Sequence, residues 1–511
     1  MRASASSRAA VWNFSIVGFN KLAQTVGSIA FVLLIPKMLG AEQFGQFAFV
    51  TSLLIIASRV GDLGMEDVLV RFIPESVSAD KDEAVRRLAG RLMAVRLALG
   101  LFSGLAAAIW ALNTTTWMTP LQGVLIGLTI SLYVLALLPF EILLGLGQAG
   151  KWTFNSSWRQ FALILTLGLL FQVLDLGFDG VILALFVNQV FFVSLGLWWA
   201  RAYLSWRHIR FDWLTLRPYL MAGGVFFAAN LFLAAVHRGG ALAIEVLTHD
   251  TAQIGFFDLG TSIYLMLFLS MTQAMIAVLP LASNLHAAGE QREVGRWFAL
   301  LQRFGVVLAM MIVGGVWGLA PVLVGPVFGE AFQPAIGTMR LSILALAVMM
   351  LGYPAGMLSV VWREPHIRFW STLCALAASL ATMSAIPVWG ANGAALAMVV
   401  GVMVYVLVIW YFVRRRIQQV RPLVGLAWGK GMLALVLGLV YLPLFALDTF
   451  SLESKLLSPL AGGGSLTAAI LVATAATTLA TAVYLVLVFV FKVVSLHEIR
   501  LILRTLKHTR S

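Results

Sequence analysis

Apolar residues run along this chain in stretches of about twenty, parted by short polar segments, and this pattern predicts roughly fourteen membrane-spanning helices. The expected spans are 12–36, 44–66, 88–112, 120–145, 152–174, 179–203, 218–246, 253–281, 296–324, 333–357, 367–387, 391–413, 425–447 and 466–491. Residues 64–75 are read as able to extend the second helix. The first run follows a positive start and is longer than the apolar core of a cleaved signal peptide, so it reads as an uncleaved first span. Prolines at 36, 120, 139, 280, 321, 387 and 443 fall at expected ends or kinks.

Polar segments alternate in charge. One set carries Lys81, Arg86, Arg87, Arg91, Lys151, Arg201, Arg207, Arg210 and Arg217, then Arg292, Arg296, Arg363, Arg368, the run 414–416 and a basic tail. The other set carries Glu42, Asp175, Asp179, Glu245, Asp250, Glu330, Asp448 and Glu453 against only Lys37 and Lys455. The positive-inside rule makes the first set cytoplasmic, which puts both termini inside. Composition agrees: 61% of the 511 residues are hydrophobic, 11% are charged, and net charge is +13. Such a chain is an integral membrane protein rather than a soluble globule. Its basic excess suits lipid head groups rather than nucleic acid. The single cysteine, Cys374, excludes an intramolecular disulfide and a multi-cysteine metal site. No nucleotide-binding motif, metal-binding histidine pair or cofactor signature is present, and the Gly-rich run 462–464 reads as a turn.

A repeat is visible between 43–52 (QFGQFAFVTS) and 253–262 (QIGFFDLGTS), which share Gly45/Gly255, Phe47/Phe257, Thr51/Thr261 and Ser52/Ser262. A second pair, 177–184 (GFDGVILA) and 390–397 (GANGAALA), follows in the same order. Together they predict an all-α fold of two six-helix lobes in parallel repeat plus two C-terminal helices. The expected division is 1–204 and 218–413 for the lobes, with a linker at 205–217, a basic loop at 414–424, the last two helices at 425–491 and a tail at 492–511.

Charges inside the spans are the candidate chemistry, because each is costly in hydrocarbon. Lys21, Arg59, Arg159 and Arg303 lie about two turns deep, and Arg238 deeper, next to two glycines. Arg96 and Glu141 lie near enough to the inner surface to snorkel, and Arg340 and Asp258 have the same escape outward. Asp62, three residues after Arg59, is placed to neutralise it locally. Cations outnumber anions, so the expected site is a cavity for an anion such as phosphate or diphosphate. Trp12, Asn13, Asn20, Gln24, Asn155, Trp158, Gln160 and Asn230 accompany the cations. Such amides and aromatics suit sugars, although tryptophans near helix ends also anchor spans at the interface.

The segments KMLGAEQFGQFAFVTSLL and GDLGMEDVLVRFIPE, then VFGEAFQPA, GYPAGMLS and IPVWGANGAALAMVVG, resemble in order the landmarks of polysaccharide and O-antigen flippases. These belong to the multidrug/oligosaccharidyl-lipid/polysaccharide exporter superfamily. The resemblance implies two six-helix lobes working by alternating access as a monomeric unit in the bacterial inner membrane. It further implies an undecaprenyl-diphosphate-linked oligosaccharide as substrate, no cofactor, no enzymatic activity, and polysaccharide polymerase and glycosyltransferases as partners alongside membrane lipids. By residue type and helix, Lys21, Arg59, Arg96, Arg159, Arg238 and Arg303 are the candidates for holding the diphosphate. Asp62, Glu141 and Asp258 are the candidates for a coupling proton or sodium ion. The alternatives are a cation-coupled small-molecule exporter of the same superfamily, which the basic surplus disfavours, a polymerase or ligase, which lacks its large outer loop here, and a non-transporting scaffold.

Overall fold

A helix satisfies its own backbone hydrogen bonds, so apolar stretches of this length form helices in lipid. The computed structural model describes residues 2–64, 81–204, 206–276, 278–362, 364–416, 428–440, 442 and 466–494. These contain helices α1 (Arg2–Asp62), α2 (Lys81–Thr114), α3 (Pro120–Gly145), α4 (Ala149–Leu167), α5 (Gly177–Ala200), α6 (Trp213–Thr248) and α7 (Thr251–Ile276). They continue with α8 (Leu279–Ala287), α9 (Gln291–Phe328), α10 (Ala335–Val361), α11 (Pro365–Thr382), α12 (Ile386–Arg416), α13 (Trp428–Val440) and α14 (Leu466–Val490). The described residues contain no strand. Every expected span has a helical counterpart, because α1 holds two spans joined at Gly40, where φ is 73°. Residues 65–75 of the expected helix extension, Asp448 and Glu453, most of 414–424 and most of the basic tail lie outside the described residues.

Several helices outrun their apolar stretch. α2 begins at Lys81 rather than 88, α6 at Trp213 rather than 218, and α9 runs from Gln291 to Phe328 rather than 296–324. Hydropathy marks only the hydrocarbon-embedded part of a helix, whereas hydrogen bonding continues into the charged zone beyond it. Hence Arg86, Arg87 and Arg91, read as loop residues, ride on the first turns of α2.

The helices fall into two compact units, residues 1–255 and 256–511. In the first, α2 packs on α3, α3 on α5, and α1 on α4 and α6. Thus α6, assigned from the sequence to the second lobe, is packed with the first unit. In the second, α9 packs on α10 and α14, and α12 on α10 and α11.

The repeat has a backbone basis. Gly177 and Gly390, equivalent in the second landmark, have φ of 56° and 53°, a left-handed conformation that favours glycine. Three residues on, a methyl at Gly180 would meet the Leu170 carbonyl, and one at Gly393 the Ala385 carbonyl. Each glycine pair therefore performs the same turn in its own unit. In the first landmark Gly45 and Gly255 meet each other: a methyl on Gly45 would overlap the Thr251 carbonyl, and one on Gly255 the Ala41 carbonyl and Gly45 nitrogen. Phe47 and Phe257 are both buried.

Candidate functional site: intramembrane cations of the first unit

Arg96, on α2 of the first unit, has a side chain that is 0% exposed. Its Nη2 reaches Asp62 at the end of α1 and Glu141 near the end of α3, at 2.5 and 2.6 Å, and both carboxylates are almost fully buried. Three helices are thus tied by one guanidinium. Asp62 pairs across helices with Arg96, not along its own helix with Arg59. The packing explains the choice. Gly61 has no room for a side chain against Val134 of α3, so the end of α1 presses on the α2–α3 hairpin and delivers Asp62 to Arg96. Snorkelling does not describe Arg96 or Glu141, since neither reaches the surface.

Arg159 has a different setting. It lies in the interior of α4, ten residues or about 15 Å beyond the helix start. Its guanidinium carbon is 4.7 Å from the centre of the Tyr133 ring on α3 and 5.2 Å from that of Phe192 on α5. Nη2 donates to Asn155 Oδ1 at 2.9 Å, and Nε is buried without a hydrogen-bond partner. Asn188 of α5 donates to the Arg159 carbonyl at 3.2 Å, which fixes this turn of α4 against α5. None of the described acidic groups pairs with Arg159. Aromatic faces attract a desolvated cation by about 2 kcal/mol, less than a carboxylate provides at such depth.

None of the described acidic groups pairs with Lys21 either. It donates to Gln24 Oε1 at 3.0 Å and lies 5.7 Å from the Trp152 ring centre. The surrounding face of α1 is knitted to α4 by polar side chains. Asn20 donates to the Gly150 carbonyl and to Thr153 Oγ1, and accepts from Trp158 Nε1. Two turns further along, Ser28 donates to Gln160 at 2.9 Å.

The remaining candidates are dispersed. Arg59 is half-buried on α1, and Arg238 half-buried on α6 beside the buried His237. Arg303, in the second unit, donates to the Ala299 carbonyl of its own helix and to the Val493 carbonyl just beyond α14. Asp258 is buried on α7 and accepts from Ser262 at 3.1 Å. Arg340 does not extend outward freely, because Nε and Nη2 donate to the Trp317 carbonyl of α9. No group of three or more metal-ligating side chains occurs among the described residues.

Two features were not singled out from the sequence. Tyr133, Phe192 and Asn188 cradle Arg159 from neighbouring helices, with no local motif to announce them. Glu245, read as lying at a loop, is fully buried near the end of α6. Its Oε1 accepts from Trp117 Nε1 at 3.2 Å, and Oε2 is buried without a hydrogen-bond partner. Its position at the last residues of an expected span was the available signal.

No protein-family model matches the chain, and no curated protein matches its sequence. Solved structures do. The chain is similar to the lipid II flippase MurJ in an inward closed conformation, with a TM-score of 0.66 at 11% identity, over 92% of this chain and 97% of that one. It is similar to an inward-facing multidrug resistance MATE family transporter of the MOP superfamily, with a TM-score of 0.60 at 16% identity, over 81% and 99% of the two chains. A Vibrio cholerae MATE transporter, VcmN, gives 0.55 at 13% identity over 82% and 99%. The chain has the fold of these membrane transporters. It is an all-α, multi-pass membrane protein of that architecture.

Proposed function

We propose that this protein is a flippase that moves an undecaprenyl-diphosphate-linked oligosaccharide from the inner to the outer leaflet of the bacterial cytoplasmic membrane. Within the site, the observation that carries the reading is the unequal distribution of counter-charge. Arg96 is held by two carboxylates, whereas among the described residues the partners of Arg159 and Lys21 are aromatic faces and amides. A half-buried cation within a span that lacks a paired acid costs free energy that an arriving diphosphate would offset, and guanidinium is suited to phosphate oxygens. The Asn20–Trp158–Gln160 face supplies amide and aromatic groups of the kind that bind sugars. The overall likeness to MurJ, a lipid II flippase, supports a lipid-linked substrate over a small cationic drug.

In this reading Arg159 and Lys21 contact the diphosphate, with Arg59, Arg238 and Arg303 as secondary candidates. The Asp62–Arg96–Glu141 triad holds helices together and remains the first place to seek a coupling proton or sodium ion, ahead of Asp258. Two helical lobes are the bodies we propose to alternate, with both termini cytoplasmic and a single chain as the transport unit. Polysaccharide polymerase and glycosyltransferases are the partners that would consume and supply such a substrate.

The test is glycan export in cells that depend on this protein. Arg159→Ala is expected to abolish surface glycan at normal protein abundance, with lipid-linked repeat units accumulating inside, and Arg159→Lys to retain part of the activity. Unchanged export by Arg159→Ala together with Lys21→Ala would rule out the cationic site.

A further inference from the structure

The first unit also carries a cavity at its basic end, apart from the cations described above. It has a volume of about 290 Å³ and is lined by Met93 and Leu97 of α2, Leu135 of α3, Leu197 of α5, and Arg201 and Leu204 just beyond α5. Gly90 admits the backbone at His208, which a methyl group there would strike, so His208 is held close against α2 beside the slot. Every lining side chain other than Arg201 is apolar.

The surroundings say what such a slot faces. Val187, Val190, Phe191 and Trp198 are exposed along α5 at helical spacing, a stripe that only lipid would cover favourably. Arg201 follows three residues after Trp198, is exposed, and has its guanidinium carbon 5.8 Å from that ring's centre. Tryptophan and arginine at the end of a lipid-facing stripe mark head-group depth. Three nearby charges are engaged within the protein: Arg91 with Asp212 at 3.2 Å, His208 with Glu83 at 3.1 Å, and Arg86 with the Ala202 carbonyl at 2.9 Å. None of the described acidic groups pairs with Arg201.

We propose that this cavity binds an anionic phospholipid of the surrounding bilayer, with part of one acyl chain in the slot and the phosphate on Arg201. Free phosphate would leave the apolar slot unfilled, and a zwitterionic head group would bring an ammonium toward Arg201. The site does not depend on what the protein transports.

The experiment is a native mass-spectrometric titration of the delipidated full chain with phosphatidylglycerol, phosphatidylcholine of the same acyl chains, and inorganic phosphate. One well-placed cation should favour phosphatidylglycerol by about fivefold. Arg201→Gln should erase that preference while leaving phosphatidylcholine binding unchanged. Leu135→Phe or Leu197→Phe, by filling the slot, should weaken both lipids, with thermal melting confirming that each variant is folded. The proposal is overturned if Arg201→Gln retains the preference, if folded slot-filling variants bind both lipids as before, or if inorganic phosphate displaces phosphatidylglycerol.

Discussion

Arg96 and Arg159 show how one residue type takes two roles inside a membrane. Arg96 is fully buried with Asp62 and Glu141, so removing it strands two carboxylates. Arg96→Ala should therefore destabilise the fold by about 3–5 kcal/mol, the usual cost of breaking a buried pair. The readout is loss of monodisperse protein in size-exclusion chromatography of a fluorescent fusion. Replacing the three together by apolar residues of similar size should restore much of that material, since an intact buried ion network stabilises little over apolar packing. If the triad carries the coupling ion, the apolar version will fold but not transport. Arg159 predicts the reverse pattern, normal abundance with lost transport. The sequence identified both arginines as intramembrane charges but not their difference. Depth along a helix is legible from position, whereas a counter-charge 34 or 45 residues away on another helix is not. Local spacing even favoured the wrong partner for Asp62, because an i,i+3 contact is readable while the approach of α1 to the α2–α3 hairpin is not.

At the scale of elements, glycine positions do the organising. Gly45 and Gly255 let α1 and the start of α7 meet backbone to backbone. Gly45→Val should cost about 1–3 kcal/mol through overpacking, because the carbonyl it would strike cannot move aside as a side chain can. The lower thermal midpoint of the purified variant is the measurement. Gly315→Ala, on α9 with open space at the methyl position, is the matched control and should leave the midpoint unchanged. The repeat was readable because its glycines have no acceptable substitute where φ is positive or backbones touch. Helix ends were less readable. The charged first turns of α2 carry no apolar signal, yet their backbone is helical. The break at Gly40 was anticipated only as a loop between spans, and the chain turns there within a single residue's dihedral change.

For the molecule as a whole, membrane class and helix number are legible in the apolar content and charge alternation of the sequence. The orientation we propose rests on the same alternation and is testable separately. A fluorescent protein fused after residue 511 should be bright, and alkaline phosphatase fused there inactive, if that end is cytoplasmic. The opposite pair of results would invert the topology and place the basic cavity at the outer face. Substrate identity is the hardest property to read, since the transporter fold accommodates different cargoes and the specificity lies in a few side chains. The central claim is that Arg159, half-buried among Tyr133, Phe192 and Asn155 with no described acidic group paired to it, receives the anionic head of a lipid-linked oligosaccharide. Its most direct test is translocation of an undecaprenyl-diphosphate-linked oligosaccharide in proteoliposomes containing either the native chain or Arg159→Ala at equal reconstitution. The native protein should exchange the substrate between leaflets, and the variant should do so only at the protein-free rate. Equal exchange by both would contradict the claim.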